Sequence, residues 1–239
     1  MPGTVLVTGG DRGFGLGLCA ALLPLGWHVF AGQYLSDWPE LPALQRQYPE
    51  TLEIVPLDVR SMESLHAAAD FVQQRVGALD VLINNAGVQS ETIYAGIRSP
   101  QNYEEMHRLY DVNALGPLRV VEAFLPLMDA GQGKRLCFIS SEAGSIGAAQ
   151  RTSWFGYCMS KAALNMAVKI LFNDLRPQGY TFRLYHPGWI RSYMHGQKAV
   201  EAHFEPEEAA ALAIPILFGT NADENRLALI DYDGKEWPY

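Results

Sequence analysis

The sequence predicts an α/β fold, a doubly wound parallel sheet of about seven strands with helices on both faces, spanning residues 1–239 as one domain. Three observations predict it. Short β-branched apolar runs alternate with stretches of helical period, a glycine-rich turn stands where the first run gives way to the first helix, and no repeat, linker or low-complexity tract divides the chain.

The elements follow in order. Val5-Leu6-Val7 reads as a strand and about Phe14 to Leu23 as a helix. Val29-Phe30-Ala31 and Leu52 to Leu57 are the next strands, followed by a helix over Met62 to Val76. Val81-Leu82-Ile83 precedes helical stretches over about Asn102 to Met128. The strand Leu136 to Ser140, a long helix from about Phe155 to Leu175, and the strand Phe182 to Tyr185 complete the series. Strands separated by helix-length connections pair in parallel. Gly77 ends one helical pattern, Pro100 precedes another, and Gly131 to Gly133 parts a helix from the next strand. The least periodic segment runs from about Ser192 to Phe204 and carries His195, Gly196 and Gln197. Ligands of open α/β sheets bind at the carboxyl ends of the strands, so residues 190–205 read either as a substrate lid or as an ordinary surface connection.

Composition narrows the function. A chain of 239 residues suits one α/β domain that buries about 70–75% of its unfolded surface. Its 49% hydrophobic and 18% charged residues are globular values, and a formal charge of −8 argues against a nucleic-acid partner or an anionic membrane. Cys19, Cys137 and Cys158 are odd in number, lack CxxC spacing and lie in apolar segments, which predicts buried, reduced thiols. His66, His107, His195 and His203 form no spaced ligand set, so no metal is expected. No basic stretch leads into an apolar run at the start, where Thr4 to Thr8 is already strand-like, and a soluble, cytoplasmic protein is the expectation.

Thr8-Gly9-Gly10-Asp11-Arg12-Gly13-Phe14-Gly15 lies at the first strand–helix junction. Glycines there let the backbone turn tightly and approach a pyrophosphate, whose charge meets the free N–H groups and positive dipole end of the helix. The spacing is GxxxGxG rather than the commoner GxGxxG. With Asn84-Asn85-Ala86-Gly87 and Tyr157-Cys158-Met159-Ser160-Lys161, the turn resembles the TGxxxGxG, NNAG and YxxxK motifs of the classical short-chain dehydrogenase/reductase family. The resemblance runs along nearly the whole chain and implies a Rossmann-type domain that binds NADP(H) or NAD(H) and moves a hydride between it and a carbonyl or alcohol.

Resemblance also assigns residues. Gly9, Asp11, Arg12, Gly13, Phe14 and Gly15 form the cofactor turn, with Asn85, Ala86 and Gly87 after the fourth strand. Asp58, followed by Val59, falls where the family sets an acid against the adenine amino group, although capping the next helix is an alternative reading. Gln33 and Tyr34 are the candidates to read the adenosine ribose. An acid there favours NAD; none is present, and Arg12 favours NADP, with Asp37 close enough to oppose it. Pro187, Gly188, Ile190 and Ser192 match the segment that touches the nicotinamide carboxamide, with Ser192 where a threonine is usual.

Chemistry explains the YxxxK spacing. Residues four apart share a helix face, so Lys161 stands beside Tyr157 and its ammonium favours phenolate, lowering a pKa that is ordinarily near 10 by about 1–3 units. Tyr157 then exchanges the proton with the substrate oxygen. A serine is needed to hold that oxygen; Ser141 precedes Tyr157 by sixteen residues, three more than the family's usual interval, and Ser140 and Ser145 are competitors. Asn113, a poor residue for a helix interior, matches an asparagine that supports a water leading to the lysine; a plain kink or a buried hydrogen bond is the alternative.

Within the family the nearest likeness is to C-factor and sniffer-like carbonyl reductases, through the longer serine–tyrosine interval, His186-Pro187-Gly188-Trp189 and the tail Asp231 to Pro238. Trp154, Phe155, Trp189, Tyr193 and Met194 flank the site in sequence and point to an apolar or aromatic substrate, with core packing as the alternative reading of any one of them. The family's habit implies a homodimer or homotetramer. The rival readings are an NADP-binding regulator without turnover and an epimerase, dehydratase or dehalogenase on the same fold.

Overall fold

The computed structural model describes residues 2–91, 93–194 and 198–239; His195, Gly196 and Gln197 lie outside the described residues. Eight strands form one sheet: β1 (Thr4–Val7), β2 (His28–Gln33), β3 (Leu52–Pro56), β4 (Val81–Asn84), β5 (Arg135–Ile139), β6 (Thr181–His186), β7 (Leu229–Asp231) and β8 (Glu236–Trp237). Their order is β3-β2-β1-β4-β5-β6-β7-β8, parallel throughout except for the antiparallel β7–β8 pair. Seven parallel strands match the expected number, and the eighth is a two-residue return after the turn at Gly234, whose φ is +79°.

Alternation along the strands divides the core into two layers. Leu6, Phe30, Leu82, Leu136 and Leu184 face one cluster with α3 (Met62–Val76), α5 (Gly116–Ala130) and α6 (Phe155–Leu175), where Phe124, Val168 and Phe172 are buried. Val5, Val7, Val29, Ile83 and Cys137 face the other, against α1 (Gly13–Leu22) and α7 (Pro206–Phe218). The helices α1 and α7 lie close together because Gly17 has no side chain; a Cβ there stands 2.6 Å from the carbonyl oxygen of Pro206.

Caps follow the local sequence. Ser61 accepts the Ser64 N–H at the start of α3 and Gly77 ends it at φ +73°. Pro206 occupies the first turn of α7 behind a reciprocal Glu205–Glu208 capping box. That helix, α2 (Glu40–Gln47) and β7 were not assigned from the sequence, where Pro215 interrupts the α7 pattern. The stretch expected to be helical to Met128 divides into α4 (Tyr103–Tyr110), a π-helical turn over Asp111–Leu115, and α5.

This topology positions the site. From β1 the chain winds outward to β3, then returns so that β4 pairs on the other side of β1. The crossovers therefore diverge at the carboxyl ends of β1 and β4 and leave a crevice between them.

Candidate active site

A cavity of about 740 Å³ opens at this crevice, within the range of small-molecule and cofactor sites. Every cofactor-turn residue named from the sequence lines it. Gly9 and Gly13 have φ of +63° and +55°, which favour glycine, and a Cβ on Gly15 stands 2.0 Å from the Gly9 carbonyl oxygen. The turn is tied to the segment after β4: Thr8 Oγ1 accepts the Asn85 and Ala86 N–H groups, both at 3.0 Å, and Asn85 Nδ2 donates to the carbonyls of Thr8 at 2.9 Å and Gly9 at 3.1 Å. Arg12 precedes α1 without a side-chain cap, leaving the first N–H groups of the helix for an anion. The donor set and the bare backbone suit a dinucleotide pyrophosphate.

On the opposite wall, α6 carries Tyr157 and Lys161 on its buried face. The Lys161 Nζ stands 5.8 Å from the Tyr157 ring centroid and donates to the Ile139 carbonyl at 2.9 Å. Of the three candidate serines, only Ser141 acts on the Tyr157 hydroxyl, favouring its ionised form against the effect of burial. Ser140 donates to Asn165 Oδ1 at 2.6 Å, and the hydroxyl of Ser145 donates to the Pro238 carbonyl. Burial pushes the Tyr157 hydroxyl above the ordinary phenol value, with Ser141 acting the other way. This differs from the lowered value expected from the ammonium alone, because desolvation of the phenolate dominates. Burial likewise pushes the Lys161 ammonium down to about 8.

Asn113 explains the π-helical turn. Its Oδ1 accepts the Val88 N–H at 2.8 Å, and its Nδ2 donates to the Val88 carbonyl at 2.9 Å and to Ser160 Oγ at 3.0 Å. Ser160 in turn donates to the Tyr157 carbonyl at 2.8 Å. The asparagine therefore joins the loop after β4 to the helix that carries Tyr157, from behind the cavity wall rather than on it.

At the other end, Asp58 does not cap α3, a task held by Ser61. Burial alone raises its carboxyl, but hydrogen bonds from the Arg60 side chain and backbone, together with the guanidinium charge, hold it below the usual range. Arg60 also donates to the Tyr34 hydroxyl at 3.1 Å. Tyr34 and Leu35 line the cavity whereas Gln33 does not, so the strand end presents the tyrosine. The Arg12 guanidinium lies over the Trp38 ring at 4.9 Å, and Asp11 accepts the Tyr34 N–H at 3.4 Å. Val59, Pro187, Gly188, Ile190 and Ser192 complete the lining, Gly188 at φ +79°.

Comparison with known proteins agrees with this geometry. The family described as short chain dehydrogenase matches residues 3–202. The chain belongs to the short-chain dehydrogenase family. It is 38% identical to the C-signal protein of Myxococcus xanthus over 163 residues, covering 68% of this chain and 94% of that protein. The NADPH-bound carbonyl reductase from chicken fatty liver superposes with a TM-score of 0.85 at 31% identity, covering 99% of this chain and 98% of the other. The carbonyl reductase Sniffer of D. melanogaster gives 0.88 at 26% identity over the whole of both chains.

Other wall residues of this short-chain dehydrogenase were not singled out from the sequence. Arg60 lies two residues beyond Asp58, a signal within reach. Glu142 and Arg151 pair at 2.6 Å, and the Arg151 guanidinium covers the Trp154 ring at 5.2 Å. Trp154 stacks on Tyr157 with centroids 4.7 Å apart and adopts φ +69°, unusual for a bulky residue. Among the described residues no three His, Cys, Asp or Glu side chains gather as a metal site. Cys19 and Cys137 are buried as expected, whereas Cys158 is half-buried. Replacing Asn113 by alanine strips the Val88 N–H and carbonyl and the Ser160 hydroxyl of their partner; we expect a loss of about 2–4 kcal/mol in urea unfolding.

Proposed function

We propose that this chain is an NADP(H)-preferring carbonyl reductase in which Tyr157 is the proton-transfer residue, Ser141 holds the substrate oxygen and Lys161 holds the nicotinamide ribose. The observation that carries it is the meeting of Ser141, Tyr157 and the Lys161 ammonium in the cavity that the glycine turn also lines. The nicotinamide, when bound, supplies or accepts the hydride. The protein does the rest. The glycine turn and the start of α1 bind the pyrophosphate, while Asp58 faces the adenine and Ile190 and Ser192 the carboxamide. Ser141 orients the carbonyl oxygen, and the protonated Tyr157 gives that oxygen its proton as negative charge develops. Asn113 is a positioning residue, acting through Ser160 on the Tyr157 backbone.

The rest of the cavity favours a flat, apolar substrate. Trp154 extends the Tyr157 face, and Ile93, Tyr94, Trp189 and Met194 line the outer wall. In this reading residues 1–239 act as one domain, with 190–205 as the lid. Association of two or four copies is supported by the outer side of α6, where Met159, Met166 and Ile170 are exposed. No described helix is long and apolar enough to cross a membrane, and with the acidic charge this fits work in the cytoplasm.

Tyr157→Phe keeps the ring stack and removes the acid; kcat for NADPH-dependent reduction of aryl aldehydes and ketones falls by about 10²–10⁴. Equal rates remove Tyr157 from the mechanism, and NADPH binding without turnover of any carbonyl in the panel points to a cofactor-binding regulator. The Lys161 ammonium is charged below its value of about 8 and neutral above it, so kcat/KM for reduction declines as pH rises through that value. The Lys161→Met profile lacks this break. Arg12 and Arg60 border the adenosine end of the cavity. Titration is expected to show tighter binding of NADPH than NADH, and Arg12→Ala weakens NADPH by on the order of tenfold, about 1.4 kcal/mol; tighter NADH binding by the unaltered chain overturns the NADP assignment.

A further inference from the structure

The tail Asp231 to Tyr239 reaches three segments that border the substrate end. Asp231 is buried, and its carboxylate folds the tail on itself. It accepts the Asp233 and Lys235 N–H groups at 3.0 and 2.9 Å and the Trp237 indole N–H at 2.8 Å. The folded tail touches three segments of the chain. The Pro238 carbonyl accepts the Ser145 hydroxyl and the Tyr239 carbonyl accepts the Gly147 N–H at 2.9 Å, which fixes the loop between Ser141 and Trp154. Ser145 Oγ passes the restraint on by accepting the Ala148 N–H at 3.3 Å. Trp237 packs edge-on against His186 with centroids 6.1 Å apart, on the segment after β6. Tyr232 packs against Phe204 at 4.9 Å and so closely against Gly188 that a Cβ there meets its ring at 2.8 Å. Phe204 in turn bridges to Ile190, and its carbonyl accepts the Arg191 N–H at 2.8 Å.

We infer that the tail is a brace that sets the geometry of the substrate half of the cavity, joining the Ser141–Trp154 loop, the His186–Gly188 segment and the edge of the 190–205 region through contacts with Ser145, Gly147, His186, Gly188 and Phe204. The inference rests on the reductase reading for its effect on turnover and on contacts alone for its effect on order. The loop it holds is the longer interval between serine and tyrosine, and a longer loop has more conformations to lose on ordering. The glycine turn makes its own bonds to the segment after β4, so the brace leaves the pyrophosphate and adenosine end of the cavity untouched and acts at the substrate and nicotinamide end. Its residues are positioning residues.

Two variants test this: the chain shortened to end at Asp231, which removes Tyr232 and Trp237 as well as the last two residues, and Ser145→Ala. Hydrogen exchange is expected to accelerate at least tenfold at Gly147 and Ala148 in both. In the shortened chain it also accelerates at Arg191, whose amide makes no bond to the tail, while Gly10 at the cofactor turn keeps its protection. With NADPH and 4-nitrobenzaldehyde, the KM for the aldehyde rises about tenfold more than kcat falls, and the dissociation constant of 2′,5′-ADP, which occupies the adenosine end alone, changes less than twofold. A merely structural role lowers the folded fraction and leaves the KM of the remainder unchanged; that result, unaltered exchange at Gly147 and Arg191, or an equal loss of 2′,5′-ADP binding overturns the inference. If the shortened chain does not fold, Ser145→Ala decides it by exchange at Gly147 and by KM. If the unaltered chain reduces no aldehyde, the reductase reading fails, and exchange at Gly147, Ala148 and Arg191 still decides the brace.

Discussion

The Thr8 and Asn85 side chains hold the rest of the site in place by closing the end of β1 onto the segment after β4. Two strands that diverge at a switch point leave a crevice with loose backbone on both lips. Here one hydroxyl accepts two N–H groups from the far lip, and one amide donates to two carbonyls of the near lip. The glycine turn is thus held open through the Thr8 hydroxyl and the carbonyls of Thr8 and Gly9. Its own N–H groups stay available at the start of α1, which is what an anion-binding turn requires.

Burial sets the electrostatics on the other wall. A phenol and an ammonium in the same dry environment are each driven toward neutrality, the phenol up and the ammonium down to about 8. The protonated phenol suits delivery of a proton to a carbonyl oxygen. Removing it for the reverse reaction needs a compensating positive charge nearby; the Lys161 ammonium and the Arg151 guanidinium are both close to the phenol. The asparagine in the π-helical turn adds rigidity, because a polar chain from Val88 through Asn113 and Ser160 ends on the tyrosine backbone.

Much of this was legible in the sequence because the informative residues sit where the backbone has few choices. Glycines at positive φ, a helix spacing of four and buried alternating strands leave direct marks, and the spans of α3 and α6 follow from them closely. The elements that escaped are those whose signal is weak or masked. β8 is two residues long, α7 contains a proline, and a π-helical turn changes only one residue in the count of a helix. Position as second of the pair favours Ser141 over Ser140 in the sequence but does not separate them; the structure does, because Asn165, distant along the chain, takes up Ser140. Cys158 sits in an apolar stretch, yet its helix face turns it partly outward.

Trp154 holds an indole at a backbone angle of φ +69°, a conformation that costs a non-glycine residue on the order of 1–3 kcal/mol. That cost is borne at the residue whose ring covers Tyr157. Fold robustness and reactivity thus make opposite demands on one position. Engineering for heat resistance would gain by relaxing this backbone, and the Tyr157 ring would then lose the flat surface on which it stacks.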